Sequence, residues 1–219
     1  MPQCEVFMYE LLKRLGPPIF FCLLILCFEI FYHRKKSDRQ KEQAKQKFWE
    51  REEAANAVRR KDITFLNYIV IPTDSLPMDD TGDEDIREYQ DTILRLSQKR
   101  VLNLNGISNT DLKLEYGAAN LPELTEYDNN YTTLVNILAK WGAKLIELNK
   151  NDDAVTVLEY GISVGSDVSR NFYLLADEYR RRGQPDKIDA LIETAGRLES
   201  IMQKPILNKL KEIRSYCGR

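Results

Sequence analysis

The sequence predicts an all-α protein: a single membrane-crossing helix near the N-terminus, a charged helical arm, and a body of stacked helix pairs. Three observations carry that expectation. Residues Pro17–Tyr32 form an apolar run with one charge, Glu29, and the chain turns basic directly after it. Residues 34–61 contain neither Gly nor Pro and are rich in helix formers. Toward the C-terminus, side chains of matching size recur at an offset of 34 residues, the mark of a repeated helical unit.

A chain of 219 residues has room for one ordinary domain with attachments. Its net charge of −2 conceals an asymmetry. Residues 33–61 hold 11 Lys/Arg against 5 Asp/Glu, and residues 62–219 hold 19 against 26. An acidic body lacks the clustered positive charge that displaces counterions from a phosphate backbone, so no nucleic acid is expected as a partner. Cys4, Cys22 and Cys27 lie in or beside the apolar segment, and Cys217 is nearly terminal, which leaves the body one thiol and suits a reducing compartment.

Residues 1–16 read as a short N-terminal segment whose EVFMYELLKRL stretch suits a surface-lying amphipathic helix. Residues 17–33 read as an uncleaved membrane anchor. The sixteen residues 17–32 span about 24 Å as a helix, short of the ~30 Å hydrocarbon core. Phe28, Phe31 and Tyr32 suit the interface, Glu29 sits near its polar flank, and Pro17–Pro18 fit a first helical turn. No small-residue cleavage site follows the run; His33-Arg34-Lys35-Lys36 follows it instead. Seven cations within fifteen residues behind the run, against Lys13 and Arg14 ahead of it, place the C-terminal domain in the cytoplasm as a single-pass cell-membrane protein.

Residues 34–61 read as a basic helical stalk, with Ala44, Phe48, Ala55 and Val58 as a thin apolar stripe; attraction to anionic lipid is the second reading of its charge. Residues 62–134 read as a helical region preceding the repeats. ITFLNYIVIP (63–72) is the one strand-like run, with no evident partner strand, and is expected to pack extended against helices. The acids of the next loop do not match a calcium loop: counting from Asp79, Gly82 is fourth and Gln90 twelfth, so they are expected to favour a helix N-terminus. Ile86, Tyr89, Ile93 and Leu96 mark an amphipathic helix over 84–101. Thr110 is the expected cap of a short helix ended by Gly117, Pro122 is expected to close this section, and a longer helix is expected from about Asn129.

At an offset of 34, Leu138 meets Phe172, Trp141 meets Leu175, Gly142 meets Ala176, Leu145 meets Tyr179 and Gly161 meets Ala195. Asn149-Lys150-Asn151-Asp152 meets Gly183-Gln184-Pro185-Asp186, so each unit reads helix, tight turn, helix. This pattern resembles the tetratricopeptide repeat (TPR), with residues 135–168 and 169–202 as two units and 203–219 as a capping helix. Ile188 stands where the family usually has Ala, and Ser166 and Ser200 stand where it usually has Pro. The whole chain looks like membrane-anchored bacterial proteins with a C-terminal repeat region.

The resemblance implies an α-solenoid whose concave side grips a peptide or protein, lined in the second unit by Arg170, Tyr173, Asp177, Arg180 and Arg181. First-unit counterparts are Asn136, Ala139, Ala143, Ile146 and Glu147. The carboxylate clamp of chaperone-binding relatives needs Lys and Asn where this chain has Ala139 and Ala143, or Tyr173 and Asp177. Helix-end cations are the plainer reading of Arg180-Arg181-Arg182. The only histidine, His33, lies at the membrane boundary, so the body holds none as base or ligand. No cofactor, metal or catalytic residue is expected. The expected function is a membrane-tethered protein–protein interaction module, a scaffold or adaptor. The alternatives are a permanent structural subunit of a membrane-associated complex and an outward-facing hydrolase.

Overall fold

The computed structural model describes residues 2–218, with side chains described at Cys22, Ile25, Leu26 and residues 28–217. Among the described residues there are eight α-helices and no β-strand, so the fold is all-α. The chain divides into two compact units, Met1–Ala54 and Ala55–Arg219.

The first unit is formed by α1 (Pro2–Asn56) up to Ala54, and the helix's last two residues, Ala55 and Asn56, belong to the second. Phe28, Ile30, Phe31, Tyr32, Phe48 and Trp49 are all exposed on it. Among the described residues no helix is long and apolar enough to cross a membrane. The expected 17–33 span falls partly on residues 17–21, 23, 24 and 27, whose side chains lie outside those described, as do the side chains of the 1–16 segment.

The stalk helix stops at Asn56, short of residue 61, because the following residues are taken up by the second unit. Arg60 Nε donates to Asn120 Oδ1 at 2.8 Å and its Nη2 to Glu123 at 2.5 Å, while the Lys61 amide donates to the Tyr116 carbonyl at 3.0 Å. The 63–72 run forms no strand. It is not extended throughout: Thr64–Phe65 form a turn and Leu66 a bend, after which the chain carries Ile71 into one apolar cluster, with Ile63 ahead of the turn buried in another. The Ile69 amide bonds the Val101 carbonyl at 2.9 Å.

α2 (Glu84–Ser97) begins where the loop acids end. Asp83 caps it, accepting from the Ile86 amide at 3.2 Å. Lys144, from a later helix, reaches Asp83 at 3.2 Å and Asp85 at 2.8 Å. Burial works against charge on Asp83, but the Ile86 amide and Lys144 outweigh it and hold the carboxyl below the usual carboxylate range. A depressed folded-state pKa contributes stability above the unfolded value, lost as pH falls through the folded one. Stability measured by denaturant titration is therefore expected to fall between pH 5 and pH 2, and Asp83→Asn to shrink that fall. An equal fall in both proteins would remove Asp83 from the acid response.

α3 (Asn109–Tyr116) is capped by Ser108 rather than Thr110. The Ser108 hydroxyl accepts from the Asp111 amide at 3.2 Å, and Asp111 sits three residues on, as a capping box requires. α4 (Leu121–Glu147) starts eight residues before Asn129. Pro122 lies in its first turn, where the missing amide donor costs nothing, so it opens this helix instead of closing the section before it.

α5 (Asn151–Ser163), α6 (Ser169–Arg181), α7 (Pro185–Gly196) and α8 (Gln203–Ser215) complete the unit. α5 packs on α4, α6 on both, α7 on α6, and α8 on α6 and α7. The 34-residue offset reappears in the backbone. Lys150 N bonds Leu145 O at 2.8 Å, and Gln184 N bonds Tyr179 O at 2.9 Å. Asn149 and Gly183 hold the matching left-handed positions, at φ 59° and 64°. The small residues mark close approaches. A Cβ on Gly142 would fall 2.5 Å from Leu158 Cδ2, and one on Gly161 would fall 2.3 Å from Asn171 Nδ2. One apolar cluster joins Ile86 and Ile93 to Leu138, Trp141, Leu145 and Val157; another joins Leu158, Phe172 and Leu175 to Ile188, Ile206 and Leu210.

Candidate functional site

α6 has a strongly two-sided character. Phe172, Leu175, Ala176 and Tyr179 face the core, and Arg170, Tyr173, Asp177 and Arg180 recur at spacings of three and four along the other side. Arg170 and Arg180 are exposed, Tyr173 and Asp177 half-buried. Tyr173 leans on the second apolar cluster, which fixes its ring while leaving an edge in solvent. Arg180 Nε donates to Asp177 Oδ1 at 3.4 Å, a long contact between two half-exposed groups that a ligand can displace at little cost.

The face continues onto neighbouring helices. Arg170 acts electrostatically on Tyr89 of α2. Burial, with Asp85 and Glu88, raises the Tyr89 hydroxyl pKa above its ordinary value against the opposing pull of Lys144 and Arg170. On the other flank Lys209 of α8 pairs with Glu212 at 3.1 Å and feels Asp177. Of the first-unit positions, Ala139 and Ala143 are buried between helices, while Asn136 and Glu147 are exposed. The floor of small side chains is therefore helix–helix contact surface, and polar groups remain at its ends.

Arg181 does not share the face of the other four. It turns toward the helix edge and donates to Glu178, whose side chain is only 2% exposed. Together with Asn149, Asn151, Asp152 and Arg182 this pair lines a hollow of about 510 Å³ beside the α4–α5 turn. Arg182 is held across it by Asp152 at 2.8 Å. Sequence reading missed Glu178: only its place three residues before Arg181, on the core side of α6, signals the pairing. Removing Arg181 leaves a buried carboxylate without its donor, a cost of about 1–2 kcal/mol, at the low end because half of Arg181 is in water. Arg181→Ala is expected to lower the denaturation midpoint accordingly, and Arg180→Ala to leave it unchanged within about 0.5 kcal/mol. Equal effects would contradict the division of roles.

A further hollow of about 410 Å³, lined by Asn67, Asn103, Asp167, Arg197 and Glu199 among others, sits where four loops meet. Among the described residues no group of three or more His, Cys, Asp or Glu is gathered so as to hold a metal ion. The chain matches no protein-family model, no curated protein and no solved structure.

Proposed function

We propose that this chain is a membrane-tethered interaction module, a scaffold or adaptor, whose TPR-like stack of helix pairs binds a peptide or protein segment along the exposed side of α6. The observation that carries this reading is the face itself: two guanidinium groups, an anchored phenol and a carboxylate, regularly spaced on one helix, with the long Arg180–Asp177 contact the one pairing among them. Guanidinium groups offer paired donors to carboxylates and backbone carbonyls, the Tyr173 ring offers an apolar plate, and Asp177 offers an acceptor. Such a set suits an extended segment carrying both acids and a basic or amide donor.

The tether rests on the apolar run 17–33, continued by the helical backbone of α1 and followed by a segment of net basic charge. In this orientation the second unit stands in the cytoplasm. A membrane-impermeant thiol label applied to intact cells is expected to reach Cys4 and spare Cys217; labelling of Cys217 would reverse the orientation. Binding is tested with Arg170→Ala/Arg180→Ala, which leaves the buried Arg181–Glu178 pair intact. Recovery of the partner in a pulldown is expected to fall at least tenfold, and undiminished recovery would remove α6 as the binding face. The other reading, a permanent structural subunit, predicts a chain that is stable only in the presence of its complex.

A further inference from the structure

The basic segment of α1 is not uniform around its axis. Because the helix is continuous, each residue advances about 1.5 Å along the axis and about 100° around it. Tyr32, Lys35, Lys36, Arg39, Gln40 and Gln43 fall on one side, where they line a shallow hollow of about 310 Å³. Its lining is three cations, a phenol and two carboxamides, with no carboxylate. Asp38 and Glu42 lie on the adjoining side, where they share a second shallow hollow with Phe31, Arg34, Lys35 and Arg39. Among the described residues Lys35, Lys36 and Arg39 make no ion pair, whereas Glu29 is held by His33 at 3.4 Å. Lys36, with Tyr32, Gln40 and Gln43, lies clear of both carboxylates, Lys35 and Arg39 border them without an ion pair, and all three cations are open to an anion from outside.

Depth narrows the anion. From Tyr32 the axis rises about 4.5 Å to Lys35, about 6 Å to Lys36 and about 10.5 Å to Arg39. The headgroup region adds only about 5–8 Å to each side of the hydrocarbon core. With the apolar run in the bilayer, the two lysines stand at the level of the lipid phosphates and Arg39 at their outer edge. Lys41, Lys45 and Lys47 lie about 13–23 Å beyond Tyr32, clear of the headgroups and more than a Debye length of ~8 Å from most of their charge.

We infer that the Tyr32–Lys35–Lys36–Arg39 face is a clamp for the headgroup of an anionic phospholipid, its ammonium and guanidinium groups on the phosphate and its phenol and carboxamides hydrogen-bonding around it. This rests on the tethered reading above, which sets the depth of the face.

The test uses the full chain in vesicles of phosphatidylcholine alone and of equimolar phosphatidylcholine and phosphatidylglycerol. Flotation with phosphatidylcholine vesicles checks the tether; a chain that stays at the bottom of the gradient removes the tether. Native mass spectrometry of the chain released from the mixed vesicles checks the clamp. At about fivefold per cation near an anionic surface, retained phosphatidylglycerol is expected to exceed phosphatidylcholine at least fivefold. The combined variant Lys35→Gln, Lys36→Gln, Arg39→Gln is expected to bring that ratio near one. The combined variant Lys41→Gln, Lys45→Gln, Lys47→Gln removes the same charge and is expected to leave the ratio unchanged. A chain that floats yet retains both lipids equally overturns the clamp alone, and so does equal loss in both variants, which would mean diffuse attraction. Displacement of the lipid by excess inorganic phosphate would reassign the face to a free anion.

Discussion

Gly117→Ala is expected to destabilise the second unit by about 3–4 kcal/mol and to free the segment around Arg59–Lys61. Gly117 closes α3 at φ 90° and ψ 143°, a conformation open essentially to glycine alone and costing a side-chain-bearing residue about 1–3 kcal/mol. Space forbids the substitution as well. A Cβ there would lie 2.3 Å from the Arg59 carbonyl oxygen, 2.8 Å from its carbon and 2.9 Å from Arg60 Cα, all backbone atoms that cannot rotate aside. The segment would have to leave, and it is held by more than contact. Asn120, fully buried, donates through Nδ2 to the carbonyls of Lys61 at 2.7 Å and Tyr116 at 2.8 Å, and accepts from Arg60. Detachment strips that amide of two of its three partners, at roughly 1 kcal/mol each. Denaturant titration measures the loss, and hydrogen exchange at the Lys61 amide localises it. An unchanged midpoint with Lys61 still protected would contradict this account of the junction.

Trp141→Ala is expected to cost about 3–5 kcal/mol, the usual loss for truncating a fully buried large aromatic side chain. Trp141 lies in the cluster where α2, α4 and α5 meet, so its removal opens a void between the first helix pair and the helix before it. For a unit of this size the thermal midpoint should fall by about 10 °C. The indole Nε1 is buried and has no hydrogen-bond acceptor. Trp141→Phe removes that unsatisfied donor along with some volume, two effects of opposite sign, and is expected to cost no more than about 2 kcal/mol. Alanine and phenylalanine variants of equal stability would mean that the side chain is not packed as described.

The helix pairs were legible in the sequence because close packing leaves a size pattern. Gly142, Gly161, Ala176 and Ala195 stand where side chains of neighbouring helices press against a backbone, and large apolar residues fill the gaps between them. The same 34-residue step then reappears as the Leu145–Lys150 and Tyr179–Gln184 turn bonds. Boundaries set by one turn of chain were less legible. Pro122 can close a segment or open a helix, and only the run of contacts from Leu124 onward decides between them. Ser108 and Thr110 are both capping residue types, and the choice depends on which finds a carboxylate three residues on. In the 63–72 run Ile63 and Ile71 are buried without pairing with a strand, while Val70 stays exposed, so its β-branched character marks burial at two positions only.

The candidate face was legible in part, for the same reason. Residues spaced by three and four on a helix share a side whatever surrounds them, and Arg170, Tyr173, Asp177 and Arg180 do so on α6. Arg181 lies between that side and the core, where its direction is decided by Glu178, a tertiary fact that a run of three arginines conceals. The proposed lipid-binding face was less legible, because counting charge along the chain does not show which side chains share a side of the helix. Asp38 and Glu42 border that face on the side of Lys35 and Arg39 and do not line the hollow that includes Lys36.

The central claim, that the exposed side of α6 is where this chain meets its partner, is tested most directly by photocrosslinking in the cell of origin. A photoreactive phenylalanine analogue at Tyr173 lies on the proposed face; one at Asp186, exposed at the start of α7, serves as the control. A discrete crosslinked protein from position 173, absent from position 186 and lost with Arg180→Ala, is the expected result. The same crosslinks from both positions, or none from 173 in a folded, membrane-associated chain, would contradict the proposed face.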